Sequence, residues 1–125
     1  MATKLKMFSV RNVDRGTMLM ERGKLYGSMW SRFWGLMLRK GVADGEGILL
    51  TRSSSIHSFF MRFRFDAVFI DKENRVVKIV PAMKQWRIAF GGKGAKDTLE
   101  MPAGAAERAQ TQVGDVLAFD EVVAE

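Results

Sequence analysis

The stretch SIHSFFMRFRFDAVFID, residues 55–71, gathers most of the side chains able to do chemistry. It holds the single histidine, His57, with Ser55, Arg62, Arg64 and Asp66 around it. On paper Ser55, His57 and Asp66 make a serine–histidine–acid triad, the imidazole taking the hydroxyl proton and the acid orienting the ring. The nucleophile elbow of hydrolases places its serine between glycines on a strand-to-helix turn, and Ser55 stands in a run of serines instead. One histidine and no cysteine leave a transition-metal site without its usual imidazole and thiolate ligands. DKENRVV, residues 71–77, lacks the alternating carboxylates and sixth-position glycine of a calcium loop. GGKGAK, residues 91–96, has neither the glycine spacing nor the Ser/Thr after lysine of a phosphate cradle, so it reads as a loop. No cofactor is expected.

Aromatics alternate with arginines in the same stretch, as in single-strand RNA platforms whose exposed rings stack on bases. Those platforms place glycines among their aromatics, and here Phe59, Met61, Phe63 and Phe65 share one parity, with the mostly polar Ser58, Phe60, Arg62, Arg64 and Asp66 on the other. That is the period of a strand with one face in the core. From Ala67 to Ile70 both parities are apolar, so both faces are expected to be buried.

What must hold these residues is one domain, residues 1–125, long enough to bury a core. Zero cysteines exclude disulfides, thiolate zinc and iron–sulfur clusters. No run approaches the ~20 apolar residues of a membrane-spanning helix, and the start, MATKLKMFSV, has no long apolar signal region. A cytoplasmic protein is expected. The net charge of +6 is uneven, because Arg108 is the only cation after residue 96 and faces seven carboxylates there. The basic body admits weak nucleic-acid binding through phosphates, although its cations come singly or in pairs.

Residues 5–12 and 17–26 read as a hairpin about the turn DRG, with a bulge expected at Gly23. SMWSRFWGLMLRKG, residues 28–41, switches to three- and four-residue spacing, a short amphipathic helix. Strands are expected at 47–52, 75–81, 85–90, 97–104 and 115–122, with a hairpin turn at DKEN and a short helix over 103–110. The class is mainly β, a compact antiparallel sandwich or barrel-like domain with two short helices.

Three segments carry a resemblance: GLMLRKG, IHSFFMRFRFDAVFID and LEMPAGAAERAQTQVGDVL. Together they resemble the uncharacterised prokaryotic family called domain of unknown function 192. The matching positions are Gly35, Leu36, Met37 and Arg39, then Met61, Asp66, Phe69 and Asp71, then Leu99, Glu100 and Gly104, then Gly114 and Asp115. Their order and spacing span about residues 17 to 119. The resemblance implies a compact β-rich fold with small helical insertions and no established activity. Relatives often carry a small residue or Trp at the position of Phe60 and proline at that of Arg64, and many carry secretion signals.

The polar positions Arg39, His57, Asp66 and Glu100 adjoin apolar residues, where charges need partners. One reading pairs them with each other or with backbone groups. The other brings them to the rim of a pocket as a ligand site. The function expected is a small soluble module that binds a small ligand or protein, using Arg39, Asp66 and Glu100. The alternatives are an enzyme with a His57/Asp66 acid–base pair and a weak nucleic-acid binder. The oligomeric state is not legible.

Overall fold

The computed structural model describes residues 7–26 and 42–122. The helix expected over 28–41, and Arg39 with it, lies outside these residues. The described elements are β1 (Met7–Asn12), β2 (Thr17–Tyr26), β3 (Glu46–Leu50), β4 (Ser55–His57), β5 (Phe65–Ile70), β6 (Val76–Met83), β7 (Ile88–Phe90), β8 (Asp97–Pro102), α1 (Ala105–Arg108) and β9 (Leu117–Glu121).

Seven strands form one sheet in the order β6-β5-β8-β3-β2-β1-β9, and β4 pairs with β7 in a separate ribbon. The sheet curls. Val10 and Leu117 from one edge share a buried cluster with Val68 and Val76 from the other, and a bridge between Arg75 and Val116 joins the two edges. A half-barrel of this kind reduces the exposed strand edges that invite mispairing. Within the curl α1 contributes Ala105, Ala106 and Ala109. On the outer face lies a second cluster containing Ile48, Leu50, Phe65, Ala67 and Phe69, covered by Ile56 and Ala89 of the ribbon. All six residues of β5 are therefore buried, as the two-sided apolar run from Ala67 predicts. Burying Phe65 and Phe69 contributes about 2–3 kcal/mol each.

Three expectations differ in detail. The pairing of β2 with β3 is parallel within an otherwise antiparallel sheet, because the long connection from Tyr26 to Glu46 allows a crossover. The β1–β2 register shifts fall between Phe8 and Val10 and between Val10 and Arg11, so the extra residues lie around Glu21 and Leu19 and Gly23 stays paired with Phe8. Gly23 is needed for space instead: a Cβ there would lie 2.6 Å from the Phe8 ring. Its neighbour across the parallel pairing, Gly47, is similarly confined. A Cβ at Gly47 would press on Met20 and lie 2.7 Å from the Glu100 carbonyl oxygen. Finally, the stretch from residue 55 is two strands rather than one, β4 and β5, broken over residues 58–64. Within the break Phe60 takes φ 66°, a left-handed conformation no strand continues through.

Candidate functional site

Asp66 is 1% exposed, and its carboxylate accepts three backbone N–H groups. Ala82 donates to Oδ1 at 2.8 Å, and Gly104 and Ala106 donate to Oδ2 at 3.1 and 3.0 Å. Each donor has a local cause. Opposite Asp66 the β5–β6 register shifts, with Phe65 on Met83 and Ala67 on Val80, so Pro81 and Ala82 form a bulge. Pro81 has no N–H to give, and Ala82, at φ 43°, turns its own toward the carboxylate. At α1 the N-cap is Gly104 at φ 94°, which has no side chain to cap with. Asp66 supplies the missing acceptor from another strand, satisfying N–H groups a helix start leaves without partners.

Glu100 is 2% exposed and lies on the other face of the sheet. Register pairs Asp66 with Met101 and Ala67 with Glu100, and side chains alternate between faces. Asp66 and Met101 thus point into the curl, while Glu100 sits with Ala67 and Ile48 on the outer face. The structure does not bring these two acids together.

His57 stands on the far side of the ribbon from Asp66. Its Nδ1 accepts the Phe59 N–H at 3.3 Å. Its ring stacks on Phe59 with centroids 5.1 Å apart. Asp66 and His57 therefore occupy opposite sides of the sheet, and the acid's oxygens are engaged by backbone donors.

The other motif acids also shape the backbone. Asp71 Oδ1 accepts the N–H groups of Glu73 and Arg75, both at 2.9 Å, and Asn74 takes φ 62° in the expected turn. Those bonds, that to Arg75 first, hold the Asp71 carboxyl below its ordinary range. Asp115, 5% exposed, accepts from Arg15 Nε at 3.0 Å, Asn12 Nδ2 at 2.9 Å and the Gln112 N–H at 2.9 Å. The Arg15 hydrogen bond is the main reason its carboxyl is lowered to about 2, against an opposing burial effect. This cluster locks the β1–β2 turn to the loop before β9, and Gly114 at φ 98° completes that loop.

What the sequence reading missed lies on the ribbon. Ile56 and Ala89 face the sheet, while Ile88 and Phe90 point outward, 55% and 64% exposed. Beside them Phe60 and Trp86 are each 56% exposed, at φ 66° and 62°. A left-handed backbone costs a bulky residue about 1–2 kcal/mol, so both tips are held there by their surroundings. The holder is Ser58, fully buried. Its hydroxyl donates to the Lys84 carbonyl at 2.5 Å and accepts the Arg87 N–H at 3.0 Å. Its carbonyl accepts the N–H groups of Met61 and Trp86. Phe59 lies 5.9 Å from Trp86, and Phe60 meets Trp86 edge-on at 4.8 Å. The segments that carry the ribbon, residues 52–65 and 76–96, hold eight Lys/Arg and no Asp or Glu, and every one of the eight is exposed. The signal available in the sequence was this run without acids.

Elsewhere, a cavity of about 380 Å³ opens between Phe8, Leu25, Leu49, Ile70 and Phe119. Of its acids, Asp97 accepts the Arg52 N–H at 2.9 Å and Asp120 pairs with Arg11 at 3.0 Å. None of His57, Asp66 and Glu100 lines it. Among the described residues no helix is long and apolar enough to cross a membrane.

The sequence profile of family DUF192, described as an uncharacterized ACR, matches residues 13–119. A UPF0127 protein of Thermococcus sibiricus is 32% identical over 113 residues, 87% of this chain and 73% of its own. The UPF0127 protein of Pyrococcus furiosus is 31% identical over 115 residues, 90% of this chain and 98% of its own. A solved structure from Sinorhizobium meliloti, named as a candidate transcription regulator, superposes with a TM-score of 0.77. It covers 95% of this chain and 96% of its own at 20% identity, a likeness of fold.

Proposed function

We propose that this chain, which belongs to the uncharacterised DUF192 family, is an interaction module whose docking surface is the outer face of the β4–β7 ribbon. The observation that carries this reading is the group Phe60, Trp86, Ile88 and Phe90, each more than half exposed. Clustered apolar surface of this kind marks interaction sites, whereas single exposed apolar residues are ordinary. Two of the four are displayed from left-handed backbone pinned by Ser58, and strain of that sort clusters at functional sites. A pinned surface also loses little freedom on docking.

In this reading the motif acids Asp66, Asp71 and Asp115 are the frame, and chemistry at His57 has no part. The placement of Asp66 inside the curl and of His57 on the far side of the ribbon supports that division, because it keeps the acid out of reach of the imidazole. The module is expected to work in the cytoplasm.

A photo-crosslinking residue at position 86, compared with one at exposed Glu107 across the molecule, tests the reading in cells that make the protein. Adducts at position 86 alone are expected. Equal labelling at both positions, or none at either, contradicts it.

A further inference from the structure

Building on that docking surface, we propose that its partner is the surface of an anionic lipid bilayer. Three features favour this occupant. The first is charge: the segments that carry the ribbon, residues 52–65 and 76–96, hold eight cations and no carboxylate. Two of these cations reach the apolar residues themselves. Lys78 Nζ donates to the Phe90 carbonyl at 2.8 Å, and an Arg87 guanidinium N–H reaches the Trp86 carbonyl at 3.4 Å. Cations held beside protruding apolar groups match a leaflet whose headgroups are negative and whose interior begins a few ångströms below.

The second is the chemistry of the protruding groups. Tryptophan favours the membrane interface, and Phe60, Ile88 and Phe90 add apolar area that an acyl boundary can take up. The third separates a bilayer from single-stranded nucleic acid, which the same cations could attract. Stacking on bases needs open ring faces. Here His57 stacks on Phe59, Phe59 lies against Trp86, and Phe60 meets Trp86 edge-on. Ile88 offers no π-face at all. Phe59, Phe60 and Trp86 pack on one another, which leaves Phe90 as the ring of the ridge that stands apart, 64% exposed, and a single ring is not a row of base platforms.

Co-sedimentation of the full chain with vesicles tests this directly. Vesicles of phosphatidylglycerol and phosphatidylcholine should bind it, pure phosphatidylcholine should not, and added salt should weaken the binding. Phe60→Gly/Trp86→Gly should reduce binding at least tenfold while cooperative melting is kept, because glycine accepts the left-handed backbone without strain and so offsets part of the ring packing lost. Should that pair fail to fold, Lys84→Glu/Arg87→Glu reverses two exposed charges, leaves the backbone bonds of Ser58 to this segment in place and should likewise lower affinity at least about tenfold. Equal binding to both vesicle types, or binding unchanged in the variants, overturns the proposal. Tight binding to oligothymidine with none to vesicles also overturns it, in favour of nucleic acid. Absence of vesicle binding together with protein adducts at position 86 overturns the lipid occupant and leaves the docking surface standing. No vesicle binding and no adducts overturn both.

Discussion

Replacing Asp66 with alanine lowers the stability of the fold by about 3–5 kcal/mol, read as a fall in the urea midpoint at unchanged slope. The size follows from what the carboxylate holds. Three backbone donors, on Ala82, Gly104 and Ala106, lose their acceptor together, in a place where the side chain is 1% exposed. Each stranded buried donor costs about 1–3 kcal/mol, and some of that is recovered where water reaches the bulge at the sheet edge. Asp66→Asn should cost less, since its amide oxygen can keep the Gly104 and Ala106 donors while its NH2 faces the Ala82 N–H. The loss in Asp66→Ala is a large share of the 5–15 kcal/mol typical of a domain. A midpoint unchanged in both variants would mean that the bulge and the start of α1 do not depend on this residue. The role assigned to Asp66 would then be wrong.

The second large effect is on acid stability. Asp115 has its carboxyl lowered from 3.8 to about 2, chiefly by the hydrogen bond from Arg15. A depressed carboxyl contributes stability that is complete above its unfolded value, near 4, and is lost as pH falls through about 2. Asp71 is shifted in the same direction by the Arg75 and Glu73 amides, so its protonation also disfavours the fold as pH falls. Melting followed from pH 5 to pH 2 should therefore show a steep loss in the wild type. Asp115→Asn should be less stable at pH 5 by about 2–3 kcal/mol and should show a shallower decline below pH 4. Parallel curves for the two proteins would contradict the coupling. The side chain of Asp115 is 7% exposed and that of Arg15 36%, so the loss lies mostly with the carboxylate and its neutral donors.

Much of this frame can be read in the sequence, and the reasons differ from element to element. The apolar run from Ala67 to Ile70 announces a strand buried on both faces, because only a central strand needs no polar side. DKEN announces its turn because Asp71 and Asn74 act locally, within four residues. Asp66 is different: its partners lie 16 to 40 residues away, and only the register of β5 against β6 and β8 brings them together. The same register decides that Asp66 and Glu100 point to opposite faces, which no spacing along the chain reveals. The ribbon was hidden for another reason. Phe60 falls inside a run read as one alternating strand, and the left-handed step that turns this aromatic outward follows Ser58, whose bonds go to the distant 84–87 segment. A strand period read locally has no access to that. For the same reason Trp86, expected within a strand over 85–90, stands instead in the turn before β7.

These roles divide the molecule into a frame set by the motif acids and a docking face set by the ribbon. Hydrogen–deuterium exchange of the intact chain, with and without phosphatidylglycerol-containing vesicles, tests that division most directly. The account predicts added protection in peptides covering residues 55–62 and 84–90, with residues 97–108 around Glu100 and α1 unchanged. Protection confined to 97–108, or spread evenly over the sheet while the chain is vesicle-bound, would contradict it.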